Sequence, residues 1–348
     1  MEDEIIKKNQ ENHDENHDEN VNIVNHIERE EDNEFEEVRN SFAEIVDECG
    51  KILVGQNEII ELMIIALICD GHVLLEGVPG VAKTLAAKTF SKTINADFSR
   101  IQFTPDLMPS DIIGTSLFNM KEGTFNFKKG PIFSNIILID EINRAPAKTQ
   151  SALFEVMEEK QISYDGATYL MTEPFMVIAT QNPVEQEGTY RLPEAQLDRF
   201  LLKINFNYLS AEEEVRILHR FKSKQSKADL SIINAIIDQD KISYLKHKSH
   251  EVHISDQLIE YIIAIIQETR INQDIYLGAS PRAALALMKT SVAIAMINGR
   301  NFLIPDDIQA MAPSVICHRM VLTPEAEVLG KTQQSVLAEI IKSIEVPR

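Results

Sequence analysis

The 348 residues predict an α/β protein: a parallel sheet between helical layers, followed by a smaller all-helical part. Three observations predict it. The runs Ile136-Ile137-Leu138-Ile139 and Phe175 to Ala179 are apolar without alternation, as strands buried on both faces require. Such runs take turns with helix-spaced segments, the order of parallel βαβ units. From about residue 210 onward only helical spacing remains.

The N-terminal stretch 1–34 holds thirteen Asp/Glu against Lys7, Lys8 and Arg29. Asn12 to Asn20 nearly repeats Asn-His-Asp-Glu. Its His and Asp could hold a metal weakly, but nothing apolar anchors it, so a disordered acidic tail is expected. Phe35, Val38, Phe42, Ile45 and Val46 then lie on one face of a helix ending at Cys49. After the turn Leu53-Val54-Gly55-Gln56, Asn57 reads as the N-cap of a helix from Glu58 to Cys69. Val73 to Glu76 is the first strand, Leu85 to Thr93 a helix, and Phe98 to Phe103 a second strand. Alternation in Thr124-Phe125-Asn126-Phe127-Lys128 marks a hairpin inside the Gly- and Phe-rich stretch 111–132. Pro146 opens a helix running to Glu159. Asp165-Gly166 turns a second hairpin between Gln161 and Met171. Phe200 to Ile204 is the last strand of the set. Helices are expected at Glu212 to Phe221, Leu230 to Asp238, Ser255 to Thr269, Pro281 to Asn298 and Pro305 to Ile316, with Ser280 capping the fourth. The expected division is an acidic tail 1–34, an α/β domain 35–215 and a helical domain 216–348.

The net charge of −20 argues against a general nucleic-acid-binding surface, though not against a local basic patch. Cys49, Cys69 and Cys317 are odd in number, far apart and in no C-x-x-C pair, so reduced thiols are expected rather than disulfides or a zinc site. The acidic, polar N-terminus is not expected to act as a signal peptide, and no apolar run is long enough to span a bilayer. A soluble cytoplasmic protein is expected.

The chemistry centres on Gly77-Val78-Pro79-Gly80-Val81-Ala82-Lys83-Thr84, between a strand and the helix that Leu85 opens. Strand, glycine-rich loop and helix form the context of a phosphate-binding loop. Its N–H groups and the helix dipole face the anion, its lysine reaches the β- and γ-phosphates, and its hydroxyl ligates magnesium. The usual second glycine is Ala82, which serves if its φ is negative. Asp140 and Glu141 end a buried strand where ligands of open α/β sheets bind. Asp140 would contact magnesium beside Thr84, and Glu141 would orient or deprotonate the attacking water. Asn182, at the end of the next buried strand, would hold the water and γ-phosphate in line.

These segments, with Ala179-Thr180-Gln181-Asn182-Pro183, Leu192 to Phe200 (Leu-Pro-Glu-Ala-Gln-Leu-Asp-Arg-Phe) and Gly278-Ala279-Ser280-Pro281-Arg282, resemble the AAA+ ATPases. More narrowly they resemble the MoxR family: Asp140-Glu141-Ile142-Asn143-Arg144-Ala145 and Ala82 both fit its habit. The resemblance covers residues from about 40 to about 320. It implies a parallel-sheet αβα core with a helical lid, ATP and Mg2+ as cofactors, and a homo-oligomeric ring, by family habit a hexamer. Lys83 and Thr84 match the Walker A pair, Asp140 and Glu141 Walker B, and Asn182 sensor 1. Arg199 matches an arginine finger acting on a neighbouring subunit, and Arg282 a sensor 2 contacting phosphates in cis. Val54, Gly55 and Gln56 match the turn beside the adenine. Arg199 could instead be a surface residue paired with Asp198, and Arg282 an ordinary first-turn residue, although a cation there opposes the helix dipole. Arg144 and Arg191 could also reach across an interface. The two hairpins match elements that in related rings face the pore or substrate; equally, they could simply cover the core. Such proteins commonly work with partners bearing von Willebrand factor A domains. The resemblance therefore implies an ATP-driven chaperone. A nucleic-acid motor or loader on the same ring, or a nucleotide switch without turnover, are the competing readings.

Overall fold

The computed structural model describes residues 34–183, 189–190, 192–222 and 229–347. The acidic tail up to residue 33 and Arg191 lie outside them. The first helices, α1 (34–50) and α2 (Asn57–Ile68), precede strand β1 (Val73–Gly77). The chain continues through α3 (Lys83–Thr93), β2 (Phe98–Gln102), α4 (Pro109–Ile113), a hairpin β3–β4 (Gly114–Asn119 and Thr124–Lys129), β5 (Ile136–Asp140) and α5 (Ala147–Glu159). A second hairpin β6–β7 (Gln161–Tyr164 and Ala167–Leu170), β8 (Met176–Gln181), α6 (Glu194–Leu197) and β9 (Leu202–Phe206) complete the α/β layers.

The sheet order is β2-β5-β8-β1-β9, with every pairing parallel. β1 thus lies inside the sheet with β8 on one side, and β5 follows beyond β8. The register sets Gln102 beside Asp140 and Ile139 beside Ala179, so the carboxyl ends of β2, β5, β8 and β1 open on one edge. All five residues of β5 are buried. Ile136 and Leu138 join the core on one face, Ile137 and Ile139 the core on the other, which is why the run shows no polar alternation.

The rest is helical: α7 (Ala211–Lys222), α8 (Gln239–Ser249), α9 (Asp256–Ile271), α10 (Pro281–Ile297), α11 (Pro305–Ile316), α12 (Pro324–Val328) and α13 (Gln333–Ser343). A short ribbon pairs β10 (Ile275–Leu277) with β11 (Val321–Leu322). α10 packs on α2 and α11 on β9, so these helices share one continuous core with α1, α2, α3 and one face of the sheet. The division expected at 215/216 falls inside α7.

The expected helix over Leu230 to Asp238 does not form. Leu230–Ile232 makes a single 3-10 turn, and Ile237 forms a parallel bridge with Ile94 at the end of α3. Burial of Ile233 and Ile237 takes the apolar residues that mimic helical spacing. Asp238 then caps α8, accepting from the Lys241 N–H at 2.8 Å. Asn57 is the first residue of α2 rather than its cap; Gln56 takes the cap position and sends its side chain elsewhere. Among the described residues no helix is long and apolar enough to cross a membrane. The three cysteines are free, and burial pushes each thiol up to about 12, so none is a ready nucleophile.

Candidate active site

The loop after β1 wraps back so that α3 begins at Lys83. Gly77 must lack a side chain: a Cβ there would stand 2.7 Å from the Phe206 carbonyl of β9. Ala82 sits at φ +66°, in the left-handed region, so the expectation of a negative φ is wrong. The loop keeps the shape a glycine would give it, and alanine holds that shape under strain of about 1 kcal/mol. The Lys83 ammonium folds over the loop, donating to the carbonyls of Gly77 and, at 3.0 Å, Gln181.

Beside it the end of β5 delivers the carboxylates. The Thr84 hydroxyl donates to Asp140 Oδ1 at 2.9 Å, and the Thr180 hydroxyl approaches the same oxygen at 3.3 Å. The other oxygen of Asp140 is ion-paired to Arg100 Nε at 2.6 Å. Glu141 adopts φ +58°, a strained conformation of the kind that gathers at functional sites. Its N–H donates to the Thr180 hydroxyl at 3.0 Å. Its carboxylate accepts from Gln102 Nε2 at 2.9 Å and pairs with Arg144 at 3.0 Å. Asn182, 6% exposed, follows β8 on the same edge. Together Pro79 to Leu85, Arg100, Gln102, Asp140, Glu141, Thr180, Gln181 and Asn182 line one cavity of about 430 Å³.

A second cavity, of about 320 Å³, shares Gly80, Val81, Ala82 and Leu85 with the first and has largely apolar walls, including Ile52, Leu53, Val54, Ile217 and Ile232. Gln56 lines it too; its amide donates to the Val81 carbonyl at 3.2 Å. Gly55, at φ +69°, turns the chain at a point where a Cβ would collide with the Glu213 carboxylate. Val78 is half-buried in the loop and lines neither cavity. Arg220 spans from α7 to the carbonyls of Gly50 and Lys51 at 3.0 and 3.1 Å, closing the far wall.

A polar cavity at a helix N-terminus joined to an apolar one suits a triphosphate and its base. The hard oxygens of Thr84 and Asp140, already in contact, suit magnesium. The buried carbonyl oxygens of the Gln56 and Gln181 side chains have no hydrogen-bond partner among the described residues.

The two expected arginines lie elsewhere. Arg199 donates to the Phe154 carbonyl at 2.6 Å and stands 3.9 Å from Glu158, not paired with Asp198. Arg282 pairs with Glu158 and lies 4.0 Å from Asp198. Neither lines the phosphate cavity. Arg282 shares Arg199's anchor on α5. Ser280 holds the cap position of α10, but its hydroxyl donates to Asp198 at 3.2 Å rather than capping.

Arg100, Gln102 and Thr180 escaped the sequence reading. A signal existed for the first two: residues two apart on a strand share a face, and Gln102, at the end of β2, lies level with Asp140 at the carboxyl end of β5. Arg144, considered for an interface, pairs with Glu141 within its own chain.

The profile of the ATPase family associated with various cellular activities (AAA) matches residues 72–202, and that of the AAA lid domain residues 267–340. The uncharacterized protein YeaC of Bacillus subtilis (strain 168) is 45% identical over 90% of this chain and 97% of its own. Chaperone MoxR1 of Mycobacterium tuberculosis is 42% identical over 86% of this chain and 81% of its own. A crystal structure of a candidate ATPase from Cytophaga hutchinsonii superposes with a TM-score of 0.83 at 42% identity, covering 92% of this chain and 98% of that one. Protein MoxR of Methylorubrum extorquens is 27% identical over 88% of this chain. With the Walker-type geometry in place and relatives this close along nearly its whole length, the chain belongs to the MoxR family of AAA+ ATPases.

Proposed function

We infer that the chain hydrolyses ATP to ADP and phosphate in an oligomeric ring and uses the turnover to remodel or mature partner proteins. The observation that carries this reading is the convergence of Lys83, Thr84, Asp140, Glu141 and Asn182 on one cavity. Lys83 would bind the β- and γ-phosphate oxygens, and the apolar cavity beside Val54 and Gln56 would take the adenine. Thr84 and Asp140 would hold Mg2+, which when bound supplies charge neutralisation across the phosphates. The Glu141 carboxylate would accept the proton of the attacking water, and the Asn182 amide would keep that water in line. For this, Glu141 exchanges its contact with Gln102 or Arg144 for the water. Arg199, 32% exposed, precedes the amino end of β9 and stays out of its own chain's phosphate cavity, and so would serve a neighbouring subunit. Arg282, matching a sensor 2, would exchange its contact with Glu158 for the phosphates of its own chain.

The chaperone reading draws on the name of the Mycobacterium tuberculosis relative. A hexamer and a partner with a von Willebrand factor A domain are what the family suggests. Apolar side chains at the tip of the β3–β4 hairpin support contact with other proteins: Leu117, Phe118, Met120 and Phe125 are each more than half exposed. The test uses Glu141→Gln. Nucleotide should bind with unchanged affinity while phosphate release falls by about 10²–10⁴-fold. Lys83→Ala should abolish binding. Unchanged phosphate release in Glu141→Gln would remove Glu141 from the mechanism. The Glu141→Gln form, loaded with ATP, should retain its partner in a pull-down. Salt-dependent DNA binding in place of protein capture would favour a nucleic-acid motor.

A further inference from the structure

Arg319 follows α11 and its side chain is 2% exposed. Its Nε donates to Asp198 Oδ1 at 2.7 Å. Its Nη2 donates to the carbonyls of Phe200 at 2.7 Å and Asp198 at 3.2 Å. Its Nη1 donates to the carbonyl of Leu201 at 3.2 Å and also to that of Val315. One guanidinium therefore grips the residue before Arg199 and the two after it. Ser280, at the start of α10, donates to the same Asp198 carboxylate. The segment 198–201, which joins α6 to β9, is thus pinned by two elements of the lid.

A buried arginine whose only task was charge balance would need one carboxylate. Here the fork is spread over the backbone of one short segment, and a planar fork fixes position as well as charge. Arg199, in the middle of that segment, makes none of these contacts. Its guanidinium projects to Phe154 and Glu158 on α5. The lid thus sets the base of Arg199, and α5 sets its tip.

We propose that Arg319 is a positioning residue for Arg199: it fixes the backbone of 198–201 to the lid, so that Arg199 is presented to the neighbouring subunit's nucleotide. The proposal rests on the reading of Arg199 as acting in trans. Misplacement of a catalytic cation by an ångström costs up to about 100-fold in rate while leaving ground-state binding intact.

The experiment compares Arg319→Lys, Arg199→Ala and their double variant. Arg319→Lys keeps a positive charge for Asp198 and loses the fork. It should bind a fluorescent ATP analogue within about twofold of wild type and keep KM, while kcat falls by about tenfold or more. The double variant should be no slower than Arg199→Ala alone. Mixing Arg319→Lys with Lys83→Ala should restore ATPase activity. There the Lys83→Ala subunit has a sound Arg199 and the other subunit a sound nucleotide pocket. The same recovery is expected for Arg199→Ala mixed with Lys83→Ala. An unimpaired Arg319→Lys, a loss that adds to that of Arg199→Ala, or no recovery where the Arg199→Ala mixture recovers would overturn the proposal and leave Arg199 in trans. If Arg199→Ala itself keeps kcat, or its mixture stays inactive, the reading of Arg199 fails and the proposal with it. Should Arg319→Lys not fold, Asp198→Asn with Arg319→Gln removes both charges together and carries the same comparison.

Discussion

Ala82 shows how a residue can satisfy a motif and still be strained. At φ +66° its Cβ meets the following carbonyl, a penalty glycine escapes. Ala82→Gly should therefore stabilise the protein by about 0.5–1 kcal/mol, the relief being partly offset by the greater freedom of unfolded glycine. Denaturant unfolding with nucleotide absent measures it; a lower midpoint would mean that the loop favours alanine for another reason. Glu141 is strained in the same way at φ +58°, on the residue whose carboxylate faces the cavity. The residue types at the site were legible because phosphate chemistry requires them in a fixed order along the chain: lysine and hydroxyl after a loop, carboxylates at a strand end. Arg100 and Arg319 were not. A single arginine carries no spacing, and their partners Asp140 and Asp198 are forty or more positions away, so only the fold brings them together.

The hairpins divide their phenylalanines between two tasks. Phe127 of β4 lies 4.7 and 4.8 Å from the rings of Tyr164 and Tyr169 and so joins the two hairpins into one aromatic block. Phe118 and Phe125, 5.1 Å apart, are exposed. Alternation in the sequence predicted a hairpin here but could not divide its phenylalanines, because Phe125 and Phe127, two apart on β4, share one face. The structure makes the two readings complementary: that face packs at Phe127 and is free toward the tip, at Phe118 and Phe125. Phe127→Ala should cost about 1–2 kcal/mol of stability, whereas Phe125→Ser should change it by less than about 0.5 kcal/mol. The test of contact with other proteins is that Phe125→Ser nonetheless weakens partner capture by the Glu141→Gln form; full capture would assign the hairpin tip no such role. Strands were legible as apolar runs, since burial on both faces leaves no other composition. Helices α8 and α13 were not: a 3-10 turn and a bridging segment borrowed the isoleucines that should have marked a helix ahead of α8.

Two buried histidines tie distant parts of the chain together, and their protonation reports on the whole fold. His72 at the start of β1 accepts from the Val177 N–H of β8 at 3.0 Å and donates to the Met157 carbonyl of α5 at 3.1 Å. His318, beside Arg319, donates to the Phe200 carbonyl at 3.1 Å. Burial holds His72 down to about 4, and burial together with the Arg319 charge holds His318 well below its ordinary value. An unfolded histidine takes up its proton near pH 6.5. Between about 6.5 and about 4 the unfolded chain therefore binds more protons than the folded one, so stability rises with pH there. The contribution of His72 is complete above about 6.5 and is lost as pH falls toward about 4, on the order of 3 kcal/mol in all. From about pH 7.5 to about 5.5 the loss is about 1 kcal/mol. His72→Gln keeps an amide donor for Met157 and cannot titrate. It should be less stable than wild type at the upper pH, yet lose about 1 kcal/mol less on going to the lower one. Urea unfolding at both values measures this, and subtracting variant from wild type cancels every other titrating group. An equal loss in both proteins would show that His72 is not the buried neutral link between β1, β8 and α5.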